Sequence, residues 1–165
     1  MTGRGYLFAL EPAEVRLALG CMTSGDLGAL LAGWRGGALT AELDKAWLTI
    51  DRCLGVGAKS GASAALLGGI PIVRARDLVA SLIPADQVVE VARVLEGVDL
   101  DTFRDCFEAS LTGEPDGESE ELDLLYAWGW FQRLRALYLA AAAARRAVLF
   151  AGELRPGSWP RNAAA

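Results

Sequence analysis

The segment Ala147-Val-Leu-Phe-Ala151 is the strongest constraint on what this chain can fold into. Its apolar residues run on without alternation, so the strand they predict is buried on both faces. A strand of that kind belongs inside a sheet with other elements packed on each side. The residues just before it supply one such element. From about Glu120 to Arg146 the sequence predicts a long helix, with Leu124, Trp128, Phe131, Leu134, Tyr138 and Ala141 along one stripe.

The remaining elements follow from local signals. Gly5 to Leu10 is a short apolar run that predicts a strand, with Leu7 to Leu10 at its centre. Pro12 then opens a helix carrying Val15, Leu17 and Leu19, which stops at Gly20. A second short helix is expected over Asp26 to Leu31, ended by Gly33 and the Gly36-Gly37 pair. Thr40 reads as the N-cap of a helix holding Leu43, Ala46, Trp47, Ile50 and Leu54, with Gly55 and Gly57 as stop signals. Ala62 to Leu67 suits a helical turn, and Ile70 to Val73 a strand that Pro71 pushes to an edge or an end. Between Arg74 and Ile83, Leu78, Ala80 and Leu82 alternate as in a strand, although an irregular segment fits as well. Pro84 opens a helix with Val88, Val91, Ala92 and Leu95 at helical spacing, closed by Gly97. A further helix from about Asp101 buries Phe103, Cys106 and Phe107, and Thr112 to Glu121 reads as a loop. The expected architecture is α/β and helix-rich: a single three-layer domain over residues 1–154, with a small central mixed sheet and helices packed on both faces. Residues 155–165 are expected to form a loose tail.

Composition then discards chemistries. The 165 residues contain no histidine, which removes the Ser/His/Asp triad, the Cys/His dyad and the HExxH zinc site. The net charge is -5, and no basic run is longer than Arg145-Arg146, so a nucleic-acid partner is not expected. Cys21, Cys53 and Cys106 are odd in number and match no zinc or redox spacing, which fits reduced thiols in a cytoplasmic protein. The longest uncharged apolar stretch, Ala136 to Ala144, falls far short of the ~20 residues of a membrane span. No signal peptide is read at Met1 to Leu10, and neither a metal nor a cofactor is called for.

Few residues stand out as candidate sites. Gly55-Val-Gly-Ala-Lys-Ser-Gly61 lacks the order of a phosphate loop, because a helix precedes it and Lys59 lies two residues before Gly61. Lys59 and Ser60 with Ser63 could make a Ser/Lys nucleophile only if the lysine were buried. Asp44, Lys45, Trp47 and Asp51 fall on one predicted helix, with the two acids two turns apart, roughly 10 Å at ~1.5 Å per residue. That arrangement suits either a solvated face or a ligand or partner surface alongside Trp47. Arg74, Arg76 and Asp77 follow the Ile70 to Val73 strand and suit either a strand-end anion site or surface ion pairs. Trp130 lies off the apolar stripe that includes Trp128 and suits either ordinary packing or an interface anchor. No residue is assigned a catalytic role.

The order of these segments resembles the YfbM-like family of small bacterial proteins. The resemblance runs from Gly5-Tyr6 and the Pro12-Ala-Glu-Val helix through Leu43-Asp-Lys-Ala-Trp47, Gly68-Gly-Ile-Pro-Ile72 and Pro84-Ala-Asp-Gln-Val88 to Tyr126–Leu154. It implies a three-layer α/β domain and brings no established reaction or cofactor. The resemblance also implies an acidic residue after the tryptophan and a histidine a few positions on, where this chain has Leu48 and Asp51.

The function expected on these grounds is that of a noncatalytic cytoplasmic binding or accessory protein. Its partner would be a protein or peptide, in a biosynthetic or toxin-neutralising gene cluster. The alternative is a small enzyme or small-molecule binder that gathers Asp44, Lys45, Asp51 and Arg74 or Arg76 around one cleft without histidine or metal. A homo-oligomer with Trp130 and Trp159 as contacts is also compatible with the sequence.

Overall fold

The computed structural model describes residues 3–34, 39–57, 62–111 and 117–154. The Gly36-Gly37 pair, Lys59 and Ser60, residues 112–116 of the expected loop, and the tail with Trp159 lie outside the described residues.

Five strands form one sheet: β1 (Gly5–Leu10), β2 (Thr40–Asp44), β3 (Ile70–Arg74), β4 (Leu78–Ile83) and β5 (Ala147–Glu153), in the order β2-β1-β5-β4-β3. Six helices pack on it: α1 (Pro12–Leu19), α2 (Ser24–Trp34), α3 (Trp47–Gly57), α4 (Ala85–Glu96), α5 (Leu100–Ser110) and α6 (Gly117–Ala143). Every residue of β5 is buried, as its unbroken apolar run requires of a central strand. Its Val148 and Phe150 face a core shared with α3, α4, α5 and α6, while Ala147, Leu149 and Ala151 face a second core closed by α1 and α2. The three layers follow from that division.

Two expectations are corrected. The sheet is not mixed, because all four strand pairs are antiparallel. A parallel neighbour arises from a connection with a single crossover helix. Here two helices separate the paired strands β1 and β2, three separate β4 and β5, and β3 meets β4 in a hairpin. Second, Thr40 does not cap a helix: Thr40–Asp44 is the edge strand β2, and α3 begins only at Trp47. Leu43 and Ala46 mimic helical spacing, yet Leu43 faces the core from a strand and Ala46 from the turn that follows. Pro71 does lie on an edge strand, next to an irregularity in the β3–β4 register.

The last element is aimed by a tight helix end. Arg145 N–H donates to the Ala142 carbonyl at 3.1 Å and Arg146 N–H to that of Ala141 at 2.9 Å. These are the paired bonds of a Schellman turn, with Arg145 in the left-handed position at φ 53°. The chain therefore reverses from α6 into β5 within a few residues, and Arg146 reaches Glu11 at 2.6 Å. A side chain in that conformation is strained where glycine is not. Arg145→Gly is expected to stabilise the fold by about 0.5–1 kcal/mol, after the entropy that glycine adds to the unfolded chain is subtracted. The check is thermal unfolding, with a melting temperature raised by a few degrees.

Candidate functional site

The Leu43-Asp-Lys-Ala-Trp47 segment is the corner between β2 and α3, and its five side chains divide between core and surface. Leu43, Ala46 and Trp47 are buried. Trp47 lies under the sheet, donating from Nε1 to the Gly3 carbonyl at 3.0 Å and packing on Phe150 with ring centroids 5.3 Å apart. Asp44 occupies the left-handed region at φ 45°, which turns the chain out of the strand. Aspartate tolerates that conformation better than most residues.

Asp44 also ties the corner to α6. Its Oδ2 accepts from the Tyr126 hydroxyl at 2.6 Å, and Arg4 stands 3.8 Å from its other oxygen. The Lys45 backbone N–H and Trp130 lie close enough to the Tyr126 oxygen to favour its ionised form. Burial, and then the neighbouring Asp44 carboxylate, push the Tyr126 hydroxyl above its ordinary pKa, against the pull of those two donors. The hydroxyl therefore stays protonated at neutral pH and serves as a fixed donor.

Beside this knot a cleft of about 340 Å³ opens between the corner, the end of α5 and the first half of α6. Lys45, Thr49 and Arg52 line one wall, Ser110 and Leu111 another, and Asp123 and Tyr126 the third. Thr49 and Arg52 are three apart on α3, so they share a face. Neither Lys45 nor Arg52 forms an ion pair among the described residues. Behind the cleft, the Cys53 thiol, 3.8 Å from the Ser110 hydroxyl, is pushed up to about 11, chiefly by burial. It is held as an unreactive thiol.

The outward flank of α6 continues the surface. Leu122, Leu125 and Tyr126 are 70%, 47% and 43% exposed. Trp130 is half-buried, edge-on to Tyr126 with centroids 6.2 Å apart, and carries the Arg133 guanidinium 4.5 Å above its ring. Trp128 instead stacks on Phe131 at 5.3 Å.

Of the sequence candidates, Asp44, Lys45 and Trp130 meet around Tyr126, which sequence reasoning passed over together with Thr49, Arg52, Ser110 and Asp123. The one available signal was the Tyr126/Trp130 pair, four apart on a long helix. Trp47 is a core residue beneath them. Asp51 points away from the cleft and accepts from the Leu67 backbone N–H. Arg74 closes β3, and Arg76 and Asp77 sit in the β3–β4 hairpin. Strands β2 and β3 are opposite edges, four interstrand steps or roughly 19 Å apart at ~4.8 Å each, so Asp44 and these arginines do not share a cleft. Among the described residues no group of three or more Cys, Asp or Glu is placed to hold a metal ion.

Burial raises the Asp51 carboxyl above its ordinary value of 3.8, against the Leu67 N–H and Arg52, which lower it. A carboxyl whose pKa is higher in the folded state binds its proton more tightly there, so ionising it costs stability as pH rises from that ordinary value through the folded one. Asp51→Asn escapes this cost. Its melting temperature is expected to gain on that of the wild type between pH 4 and pH 7, and a difference that is flat with pH would contradict the buried placement.

No curated protein sequence matches this chain. The fold is similar to the crystal structure of YfbM from Escherichia coli, a protein of unknown function, with a TM-score of 0.64 and 18% identity over 92% of this chain and 99% of that one. A family model described as "Domain of unknown function (DUF1877)" matches residues 1–151. The chain, with its tryptophan corner and five-stranded sheet, belongs to that family.

Proposed function

We propose that this chain is a noncatalytic binding protein of the cytoplasm, acting as an accessory factor that recognises a protein or peptide partner through the outward flank of α6 and the cleft beside it. The observation that supports this most is the pairing of an exposed apolar flank, Leu122, Leu125 and Tyr126, with a half-buried Trp130. Tryptophan and tyrosine beside arginine are the residues that most often dominate binding energy at interfaces. The Asp44–Tyr126 bond holds this aromatic pair in place before any partner arrives, which lowers the ordering cost of association. Tyr126, kept protonated, is suited to donating a hydrogen bond and not to abstracting a proton. No helix among the described residues is long and apolar enough to cross a membrane.

Affinity capture from a lysate of the source organism tests the proposal. Immobilised wild-type protein is compared with a Leu122→Arg/Leu125→Arg variant. Both positions are exposed, so the variant should fold as the wild type does. A defined protein retained by the wild type, and reduced about tenfold or more on the variant, is the expected outcome. Equal recovery on both, or nothing retained above background, contradicts it.

A further inference from the structure

We propose that the cleft between the β2–α3 corner, α5 and α6 takes acidic side chains of a peptide segment whose apolar residues lie along the α6 flank. This rests on the partner-binding function proposed above and names the chemistry of the partner.

The charge distribution supports it. In a chain of net charge -5, Arg4, Arg93, Arg104 and Arg146 are each paired with a carboxylate. Among the described residues Lys45 and Arg52 form no ion pair, although Arg52 acts electrostatically on the Asp51 carboxylate, and both line the same cleft. Thr49 and Ser110 add hydroxyl groups that can donate to a carboxylate, the Ser110 hydroxyl by turning from the Phe107 carbonyl, to which it donates at 2.7 Å. A guanidinium, an ammonium and hydroxyls facing one opening are the donors that charge-assisted hydrogen bonds to a carboxylate need. Asp123 stands in the same opening. A carboxylate there opposes a dense polyanion such as a nucleic-acid backbone, yet it can accept the backbone N–H groups of an extended peptide.

The positions of the donors are set by the fold. Lys45 directly follows Asp44, whose left-handed backbone makes the corner and whose carboxylate is held by the Tyr126 hydroxyl, so the ammonium projects from a fixed point of the backbone. Tyr126 is thus a positioning residue for Lys45 as well as part of the apolar flank. The flank begins directly beside the cleft, because Asp123 and Tyr126 line it while Leu122 and Leu125 are their neighbours on α6. A segment that alternates acid with apolar side chains matches both surfaces at once.

The test is a titration of the ¹⁵N-labelled full chain, followed by amide chemical shifts. The probes are three synthetic dodecapeptides: glutamate alternating with leucine, glutamine with leucine, and lysine with leucine. The acidic peptide is expected to move the amides of Lys45, Thr49, Arg52 and Ser110. It should bind about tenfold or more tightly than the glutamine peptide, since one charged hydrogen bond is worth that much. Its affinity should fall as salt is raised. Lys45→Glu/Arg52→Glu, at two exposed positions, should abolish the preference while leaving the remaining spectrum unchanged. Equal binding of the acidic and glutamine peptides overturns the acidic assignment and leaves partner binding standing. A preference that survives in Lys45→Glu/Arg52→Glu overturns the assignment to this cleft. If none of the peptides shifts the cleft amides, the assignment also falls, and the capture experiment above decides the partner-binding function independently.

Discussion

The fold depends on one contact, the seating of the Trp47 indole against two glycines that face each other across the sheet. Gly5 of β1 and Gly152 of β5 are partners in register. A Cβ on Gly5 would lie 2.8 Å from Trp47 Cβ and Cγ, and one on Gly152 would lie 3.1 Å from its Cε2 and Cζ2 and 2.9 Å from Phe150 Cζ. The distances below 3.0 Å are ones that real Cβ atoms do not show, and those to Cε2 and Cζ2 would force the indole to shift. The absence of side chains on both strands opens the slot that the indole fills, and the Gly3 carbonyl satisfies its buried N–H. One residue thereby fixes the start of the chain, the last strand and the corner where β2 becomes α3.

The proposed partner surface is arranged outward from that contact. With Trp47 held below, the corner puts Asp44 toward Tyr126 and Lys45 toward the cleft. The hydrogen bond that Tyr126 donates to Asp44 links the edge strand to the long helix, and Trp130 joins the same knot from four residues further along α6. The surface read as a partner site is therefore an extension of the core packing, and its aromatic groups keep their positions without a ligand. Lys45 and Arg52, which form no ion pair among the described residues, lie at the rim of this patch, where in the proposed function they would set specificity at little cost in ordering.

Much of the architecture was legible in the sequence, and the site was not. The apolar run at Ala147 marked a central strand, and the stripe through Leu124, Phe131 and Tyr138 marked α6, because burial leaves a periodic trace. Strand β2 left no such trace. Thr40-Ala-Glu-Leu-Asp44 contains residues that rarely choose a strand, and its pairing with β1 is imposed by tertiary contact. Reading that segment as helix placed Asp44 and Asp51 on one face, where the fold sends one to Tyr126 and the other to the Leu67 backbone. Tyr126, Ser110 and Asp44 are far apart in sequence and meet only through packing of α5 and α6 on the corner, so no local pattern could join them. The segment that carries the resemblance, Leu43-Asp-Lys-Ala-Trp47, is the corner between β2 and α3 itself, which is visible only in three dimensions.

The central claim is that Gly152 is required in part because the Trp47 indole, beside Phe150, fills the space next to it. A double-mutant cycle measures this directly, using denaturant unfolding of the wild type, Gly152→Ala, Trp47→Leu and the double variant. The indole atoms nearest Gly152 are absent from leucine. Gly152→Ala is expected to cost about 1–3 kcal/mol beside Trp47, as overpacking of a core does, and at least about 1 kcal/mol less in the Trp47→Leu background, where only the Phe150 contact remains. A coupling of about 1 kcal/mol or more agrees with the account, and costs that add to within about 0.5 kcal/mol contradict it.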